Sequence, residues 1–361
     1  MRVPDYTGSG LLNLVSEIES RMTGGATPAA GLANPSLVPS ATGYVIVMFD
    51  GIGARQLDHN AARPLKAACR GVLAAGFPTT TTTSMATMVT GVAPAAHGII
   101  GHLIHLPGVA EVVNVLKWVT PQGQSVLHDY PRVLPAPNLW ERLAAAGVEP
   151  VTVQPGAFLG SPLSQMLYRG CRFEPAWTVD EIIRATLDVA RPGRVVLTYF
   201  PSVDVAAHVW GQTSGDYTEA MAEASAIWES LAVGLPDDIG LVGTADHGHI
   251  DYPASGKLLV RDPAFESLRF FGDSRATWVS GPAELTARLA EETKARLVTP
   301  SEFRPWLGPG PDHPDLAGRL PDFLLLAPPG RLVLPRGFDK RLIGYHGGLE
   351  TAEVEVPLLV R

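Results

Sequence analysis

The chain has 361 residues, 46% apolar and 18% charged, so it can bury a sizeable core and general disorder is excluded. Its net charge of −8 and pI near 5.7 argue against a nucleic-acid polymer surface but leave room for a local cationic or metal site. Cys69 and Cys171 cannot form a disulfide scaffold, and no run of about 18 apolar residues offers a membrane span. Met1–Gly10 lacks a basic region followed by an apolar run, so a cytoplasmic protein with reduced thiols is expected. The oligomeric state is not legible.

In chain order, Leu11, Leu12, Leu14, Val15 and Ile18 recur at helical spacing, and Gly24-Gly25 ends that helix. A Pro/Gly/Ala/Ser connector follows, so residues 1–42 read as an N-terminal helix and linker ahead of a main body over 43–361. Tyr44–Phe49 is a continuous apolar run, as in a strand buried on both faces, and it ends in Asp50-Gly51. Arg194–Phe200 repeats the pattern ahead of Asp204, and Ile239–Ala245 repeats it ahead of Asp246-His247. A shorter strand is expected over Val148–Val153 and a last one over Val354–Val360. Helices are expected over Asn138–Ala146, Val179–Ala190 and Tyr217–Val233. This alternation predicts an α/β fold with a mostly parallel sheet covered by helices on both faces. Ligands in such sheets bind beyond the carboxyl ends of strands, where the three acidic residues fall. Two Pro/Gly-rich stretches break the rhythm, near 101–137 and 251–335. They read as insertions over one end of the sheet.

Phe77–Gly91 is the most unusual stretch. Thr79 to Thr83 are consecutive threonines, followed by Ser84. β-Branched threonine disfavours helix, so the run reads as a loop leading into a helix over Met85–Thr90, stopped by Gly91. Hydroxyls and free N–H groups at a helix N-terminus suit a phosphate or an alkoxide, although capping alone also explains such residues. Asp204 and His208 are four apart and share one face of a helical turn. Asp246-His247-Gly248-His249 lies at a strand end, where Gly248 lets the backbone turn. His346 sits among glycines in Gly344–Gly348. Asp50, Asp204, Asp246, His208, His247 and His346 supply six oxygen or nitrogen ligands and no thiolate. They suffice for two divalent ions, each with an open position. A neighbouring hydroxyl can be held as alkoxide, and two such ions suit in-line displacement at phosphorus.

With these residues in view, the sequence resembles the type I phosphodiesterase/nucleotide pyrophosphatase family of the alkaline phosphatase superfamily. The matching pieces run in the family's order: Phe49-Asp50-Gly51, Phe77-Pro78 with Thr81 and Thr90-Gly91, Pro94 with His97-Gly98-Ile99, Asp204 with His208, Ala245–Gly248, and Gly344 with His346-Gly347. The resemblance implies an alkaline-phosphatase-like core whose insertions form a small cap. It implies two divalent metal ions, zinc in the first place with manganese as the alternative. Asp204, His208 and His346 would hold one; Asp50, Asp246 and His247 would hold the other, with Thr81 beside it. Register against the family's glycine at Gly91 selects Thr81 as nucleophile; a one-residue slip would select Thr80 or Thr82. The implied activity is hydrolysis of a phosphodiester or pyrophosphate in a small phosphorylated substrate through a phosphothreonine.

Two positions depart from the family pattern. Thr82 stands where nucleotide-hydrolysing members carry an aromatic that stacks on the base. His102 stands near the family's phosphate-contacting asparagine and is the candidate substrate-binding residue. His249 reads as a neighbour of the ligands, and His97 as structural. The alternatives are a carbon–phosphorus hydrolase resembling phosphonoacetate hydrolase and a non-catalytic metal-dependent binder of phosphorylated ligands. The absence of a Cys-x-Pro-x-Arg motif at either cysteine argues against a sulfatase.

Overall fold

The structure, a computed structural model, describes residues 1–361 except the side chain at position 110. The apolar runs form a seven-stranded sheet in the order Cys69–Ala74, Glu355–Val360, Ile239–Thr244, Gly43–Phe49, Arg194–Phe200, Glu149–Pro155, Arg172–Ala176. The five strands from Ile239–Thr244 to Arg172–Ala176 are parallel. Glu355–Val360 is antiparallel to both its neighbours. Gly43–Phe49 lies at the centre and is buried along its whole length, as its unbroken apolar run requires. Cys69–Ala74 and Arg172–Ala176 escape sequence reading because both are outer strands with exposed or half-buried positions and no unbroken apolar run.

Helices pack on the sheet. The helix Gly215–Gly234 approaches closely at Gly243, where a Cβ would stand 2.8 Å from the Trp228 ring. Leu139–Ala145 starts at a capping box, with Asn138 Oδ1 accepting from the Glu141 N–H and Glu141 from the Asn138 N–H. Leu11–Thr23 ends at Gly24, whose φ of 65° needs glycine. Its residues Leu11, Leu14, Val15 and Ile18 share one core with the central strand. Among the described residues, no helix is long and apolar enough to cross a membrane.

The two stretches that break the sequence rhythm meet in a second, six-stranded sheet. Its order is Arg296–Val298, Phe323–Leu326, Ala276–Ser280, Arg269–Gly272, Leu103–Leu106, Ala110–Asn114, antiparallel throughout. Gly272 pairs with Leu103, joining one stretch to the other. The helix Ala283–Thr293 covers this sheet over a smaller core that includes Phe265, Val279, Leu289 and Leu325.

The threonine run corrects its own reading. The helix begins inside it, spanning Thr81–Thr90 with Thr80 as N-cap, and Gly91 stops it at φ 70°. Propensity penalties of a few tenths of a kcal/mol per threonine yield to burial and to satisfied hydroxyls. Thr82 Oγ1 donates to the Gly101 carbonyl at 2.9 Å, and Ser84 Oγ donates to that of Asp246 at 2.7 Å. Thr87 and Thr90 donate to carbonyls four residues back, at 2.9 and 2.6 Å.

Candidate active site

The site lies beyond the carboxyl ends of the parallel strands. Asp50 follows the central strand, and Gly51 turns the chain at φ 76°, where a Cβ would stand 3.0 Å from Asp204 Cα. Asp204 and His208 lie on the helix Ser202–Trp210 that follows Arg194–Phe200. Asp246 and His247 follow Ile239–Thr244 and are fully buried. His346 comes from the loop after the short strand Gly344–Tyr345. Thr81 is the first residue of its helix, and no side chain caps that end. The first-turn N–H groups are therefore not taken up by a capping side chain.

These residues converge. Thr81 Oγ1 is 3.2 Å from His247 Nε2. Around that nitrogen stand Asp246 Oδ2 at 3.4 Å, Asp50 Oδ1 at 3.6 Å and Asp204 Oδ1 at 4.0 Å. His208 Nε2 is 3.5 Å from Asp204 Oδ1 and 3.2 Å from His346 Nε2. The Nδ1 atoms of His208, His247 and His346 face the carbonyls of Gly344, Gly248 and Thr79 at 2.8, 3.2 and 2.8 Å. A carbonyl can only accept, so each Nδ1 carries the proton and each Nε2 is left as a lone pair turned inward. This is how metal-binding imidazoles are oriented.

Burial shifts the charges. Asp50 is raised well above the ordinary carboxylate range by burial first, then by the neighbouring charges of Asp204 and Asp246. Burial would also raise Asp204, but His208 and His249 outweigh it and hold that carboxyl well below its ordinary range. His346 is lowered well below its usual value by burial, then by His247 and His208. Asp50 Oδ1 and Asp246 Oδ2 are buried without a hydrogen-bond partner among the described residues. Crowded carboxylates, orphaned oxygens and inward lone pairs fit divalent cations. Two ligand groups emerge: Asp204, His208, His249 and His346, and Asp50, Asp204 and His247, each with its ligand atoms within 4.8 Å of one another. Asp246 stands beside the second through Oδ2.

His102 does not join the cluster. It lies at the start of the second sheet, where its Nδ1 is 2.5 Å from Asp273 Oδ1 and its ring meets Phe338 edge-on. Three residues escaped the sequence reading as participants. Asp273 comes from the turn between two antiparallel strands, and nothing in its local sequence marks it. Tyr199 donates its hydroxyl to Asp50 Oδ2, and the unbroken apolar run in which it lies gave no signal for that contact. His249, read as a neighbour of the ligands, stands inside the first ligand group.

A cavity of about 290 Å³ opens against Asp50, Thr81 and Asp204. Its walls are apolar and aromatic: Leu116, Phe158, Leu163, Tyr168, Tyr199 and Val205. Lys117 is the one cation among its described lining residues, and Gln154 brings an amide. Thr82 is not part of this wall, because its side chain is buried against Gly101.

Comparison with known proteins agrees with this architecture. Murine ectonucleotide pyrophosphatase/phosphodiesterase 5, an inactive variant in complex with AMP, superposes with a TM-score of 0.66 at 16% identity, covering 87% of each chain. The human ectonucleotide pyrophosphatase/phosphodiesterase 5 gives 0.65 at 14% identity over 88% of this chain and 87% of that one. Phosphonoacetate hydrolase from Sinorhizobium meliloti 1021, in complex with phosphonoacetate, gives 0.63 at 17% identity over 90% and 91%. No curated protein matches by sequence. These likenesses establish a shared alkaline-phosphatase-like fold. The type I phosphodiesterase/nucleotide pyrophosphatase family matches residues 44–268, more than half of the chain, and the chain belongs to that family of metal-dependent phosphoester hydrolases.

Proposed function

We propose that the protein hydrolyses a phosphodiester or pyrophosphate bond in a small phosphorylated substrate, with Thr81 as nucleophile. The observation that carries this is the position of Thr81 Oγ1, 3.2 Å from His247 Nε2 and on the wall of a cavity that reaches the carboxylate cluster. Thr81 Oγ attacks phosphorus, the ester or phosphate leaving group departs with its electron pair, and a phosphothreonine forms. Water then attacks from the opposite side, returns phosphate or phosphomonoester, and restores the hydroxyl. The uncapped first turn of Thr81–Thr90 offers N–H groups to the phosphoryl oxygens. His102, held by Asp273, would donate a hydrogen bond to the part of the substrate that extends toward the antiparallel sheet. Two divalent cations, zinc or manganese, held by Asp50, Asp246 and His247 and by Asp204, His208 and His346, would supply Lewis-acid stabilisation and lower the pKa of a bound hydroxyl.

The cavity indicates what the phosphate carries. Aromatic and aliphatic walls suit an ester group with a ring or other apolar surface. The stacking surface missing at Thr82 is offered instead by Phe158, Tyr168 and Tyr199. Phosphonoacetate brings a carboxylate that needs paired donors, and Lys117 alone is a poor match for it. The test is turnover of bis(p-nitrophenyl) phosphate, p-nitrophenyl phosphate and phosphonoacetate by the zinc-loaded protein. Diester turnover well above the other two is expected. Turnover of phosphonoacetate alone would replace this reading with a carbon–phosphorus hydrolase, and a metal-loaded protein inert to all three would point to a binding protein.

A further inference from the structure

His249 behaves unlike the other three histidines of the cluster. Its side chain is fully buried. Nε2 points into the group formed by Asp204, His208 and His346, 2.5 Å from Asp204 Oδ1. Its ring centroid is 4.5 Å from that of His208 and 5.1 Å from that of His346, so three imidazoles surround one carboxylate oxygen. Nδ1 has no partner among the described residues. The backbone is shaped to the ring: a Cβ at Gly344 would stand 2.8 Å from Nδ1, and one at Gly51 would stand 3.0 Å from Cδ2. Gln56 Nε2 donates to the His249 carbonyl at 2.9 Å and fixes the chain there. A core-filling side chain would do this with carbon; burying an imidazole is costly, and aiming its Nε2 into a group of ligand atoms is what ligation through that nitrogen would reward.

We propose that His249 is a fourth protein ligand beside Asp204, His208 and His346, and that the two metal positions are consequently unequal. One is nitrogen-rich, with three imidazoles and one carboxylate. The other, at Thr81, is carboxylate-rich, with Asp50, Asp246 and His247. Imidazole-rich sets favour zinc over the harder ions, whereas carboxylate-rich sets also accept manganese or magnesium. A set of four protein ligands holds its ion more firmly than one that keeps positions open. Tetrahedral zinc with bonds of about 2.0–2.1 Å separates its ligand atoms by roughly 3.3 Å; the His208–His346 and His208–Asp204 spacings of 3.2 and 3.5 Å match it, whereas His249 Nε2, 2.5 Å from Asp204 Oδ1, has to move apart from that oxygen for both to ligate. The first position therefore retains zinc, and the one at Thr81 exchanges. This inference rests on the metal-binding part of the proposed function and not on its substrate.

The competing explanation is that His249 only orients Asp204 by donating Nε2–H to it. Two variants separate the two. His249→Ala removes both the nitrogen ligand and the hydrogen bond; His249→Gln keeps a side-chain N–H donor for Asp204 without the imidazole. Zinc-loaded full-length protein is dialysed against a chelator of intermediate strength and its metal content measured. Cobalt(II) is then titrated into metal-free protein and the visible spectrum recorded. Thermal unfolding of the metal-free proteins controls for folding. Wild type is expected to keep one zinc equivalent and to give an intense four-coordinate spectrum with the first cobalt equivalent. Both variants should lose the retained equivalent, with affinity about 100-fold or more weaker, beyond the effect of removing an orienting partner. Retention within about threefold of wild type in His249→Gln, with the same cobalt spectrum, would overturn the ligand assignment and leave His249 as a positioning residue. Wild type losing both equivalents together would overturn the inequality of the sites. A protein that binds no metal would overturn the proposed function as well, which keeps the two failures apart.

Discussion

At the carboxyl edge of the parallel sheet, the chemistry is dense and comes from strand ends: Asp50, Asp246 and His247 directly, and Asp204 from the helix after its strand. Across from it, the antiparallel sheet contributes little chemistry and much constraint. His102 opens its strand Leu103–Leu106, and the turn between Arg269–Gly272 and Ala276–Ser280 works in two directions. From that turn, Asp273 holds His102 on one side, while Arg275 reaches Glu350 at 2.5 Å and Glu353 at 3.4 Å on the other. Glu353 in turn accepts the Gly348 N–H at 2.9 Å, close after His346. The parallel sheet thus carries the candidate reacting groups, and the antiparallel sheet holds His102, the proposed substrate contact, and braces the loop that brings His346.

The comparison breaks most sharply at Thr81. Thr81→Ala should reduce diester turnover on the order of 10⁴-fold or more while metal content stays near that of wild type. Full activity in that variant would move the nucleophile elsewhere in the threonine run. The bracing function is tested next by Arg275→Met. Arg275 is 1% exposed and also donates to the carbonyls of Ala327, Pro328 and Arg331. Removing one partner of such a buried ionic group should lower stability by about 3–5 kcal/mol, read by denaturant unfolding. A loss under about 1 kcal/mol would mean that the two sheets are held together by apolar packing alone. His102→Ala is a smaller test, expected to reduce kcat/KM by about 100-fold with metal content unchanged. Asp273→Asn should reproduce part of that loss, since an amide holds the imidazole less firmly. Equal activity in both variants and wild type would confine the antiparallel sheet to bracing.

The same contrast explains what was legible in the sequence. Strands buried on both faces announce themselves as apolar runs, and a ligand at the end of such a run is placed by the run itself. Asp50, Asp204, Asp246 and His247 could therefore be brought together before any coordinates. The antiparallel sheet joins residues far apart in sequence, Leu103 to Gly272, through short strands with mixed faces. Neither Asp273 nor Arg275 has a local signal, because what they touch is set by that long-range pairing. The helix start at Thr81 was hidden for a related reason. Intrinsic propensity opposes it, and the hydroxyl partners that reverse the balance, at Gly101 and Asp246, are tertiary. His249 was visible as a residue of the motif, but not the turn that aims its ring inward.

The smallest effect at neutral pH is expected at His97, which sharpens the distinction between histidines that carry chemistry and those that carry structure. His97 is fully buried at the end of the short helix Pro94–His97, beside Arg319 and His313 and away from the ligand cluster. Its Nδ1 accepts the Ile99 N–H at 3.1 Å, so the proton sits on Nε2 and is donated to Thr87 Oγ1 at 3.0 Å. That hydroxyl in turn donates a hydrogen bond to the Thr83 carbonyl at 2.9 Å, tying His97 to the helix Thr81–Thr90. Burial, followed by the charges of His313 and Arg319, lowers the His97 pKa from 6.5 to about 3. The sign follows directly: the fold holds the neutral ring, so its contribution is complete above about pH 6.5 and is lost as pH falls toward about 3. His97→Gln can accept from Ile99 and donate to Thr87 without titrating. Unfolding free energies at pH 7 should then differ by no more than about 1 kcal/mol. Between pH 6.5 and 3 the wild type should lose stability faster than the variant, by up to about 1.4 kcal/mol per pH unit. Carboxylates and the ligand histidines titrate in both proteins and cancel in the difference. Parallel pH profiles would show that His97 charges inside the fold without cost and would remove it as a structural element of the Thr81 helix.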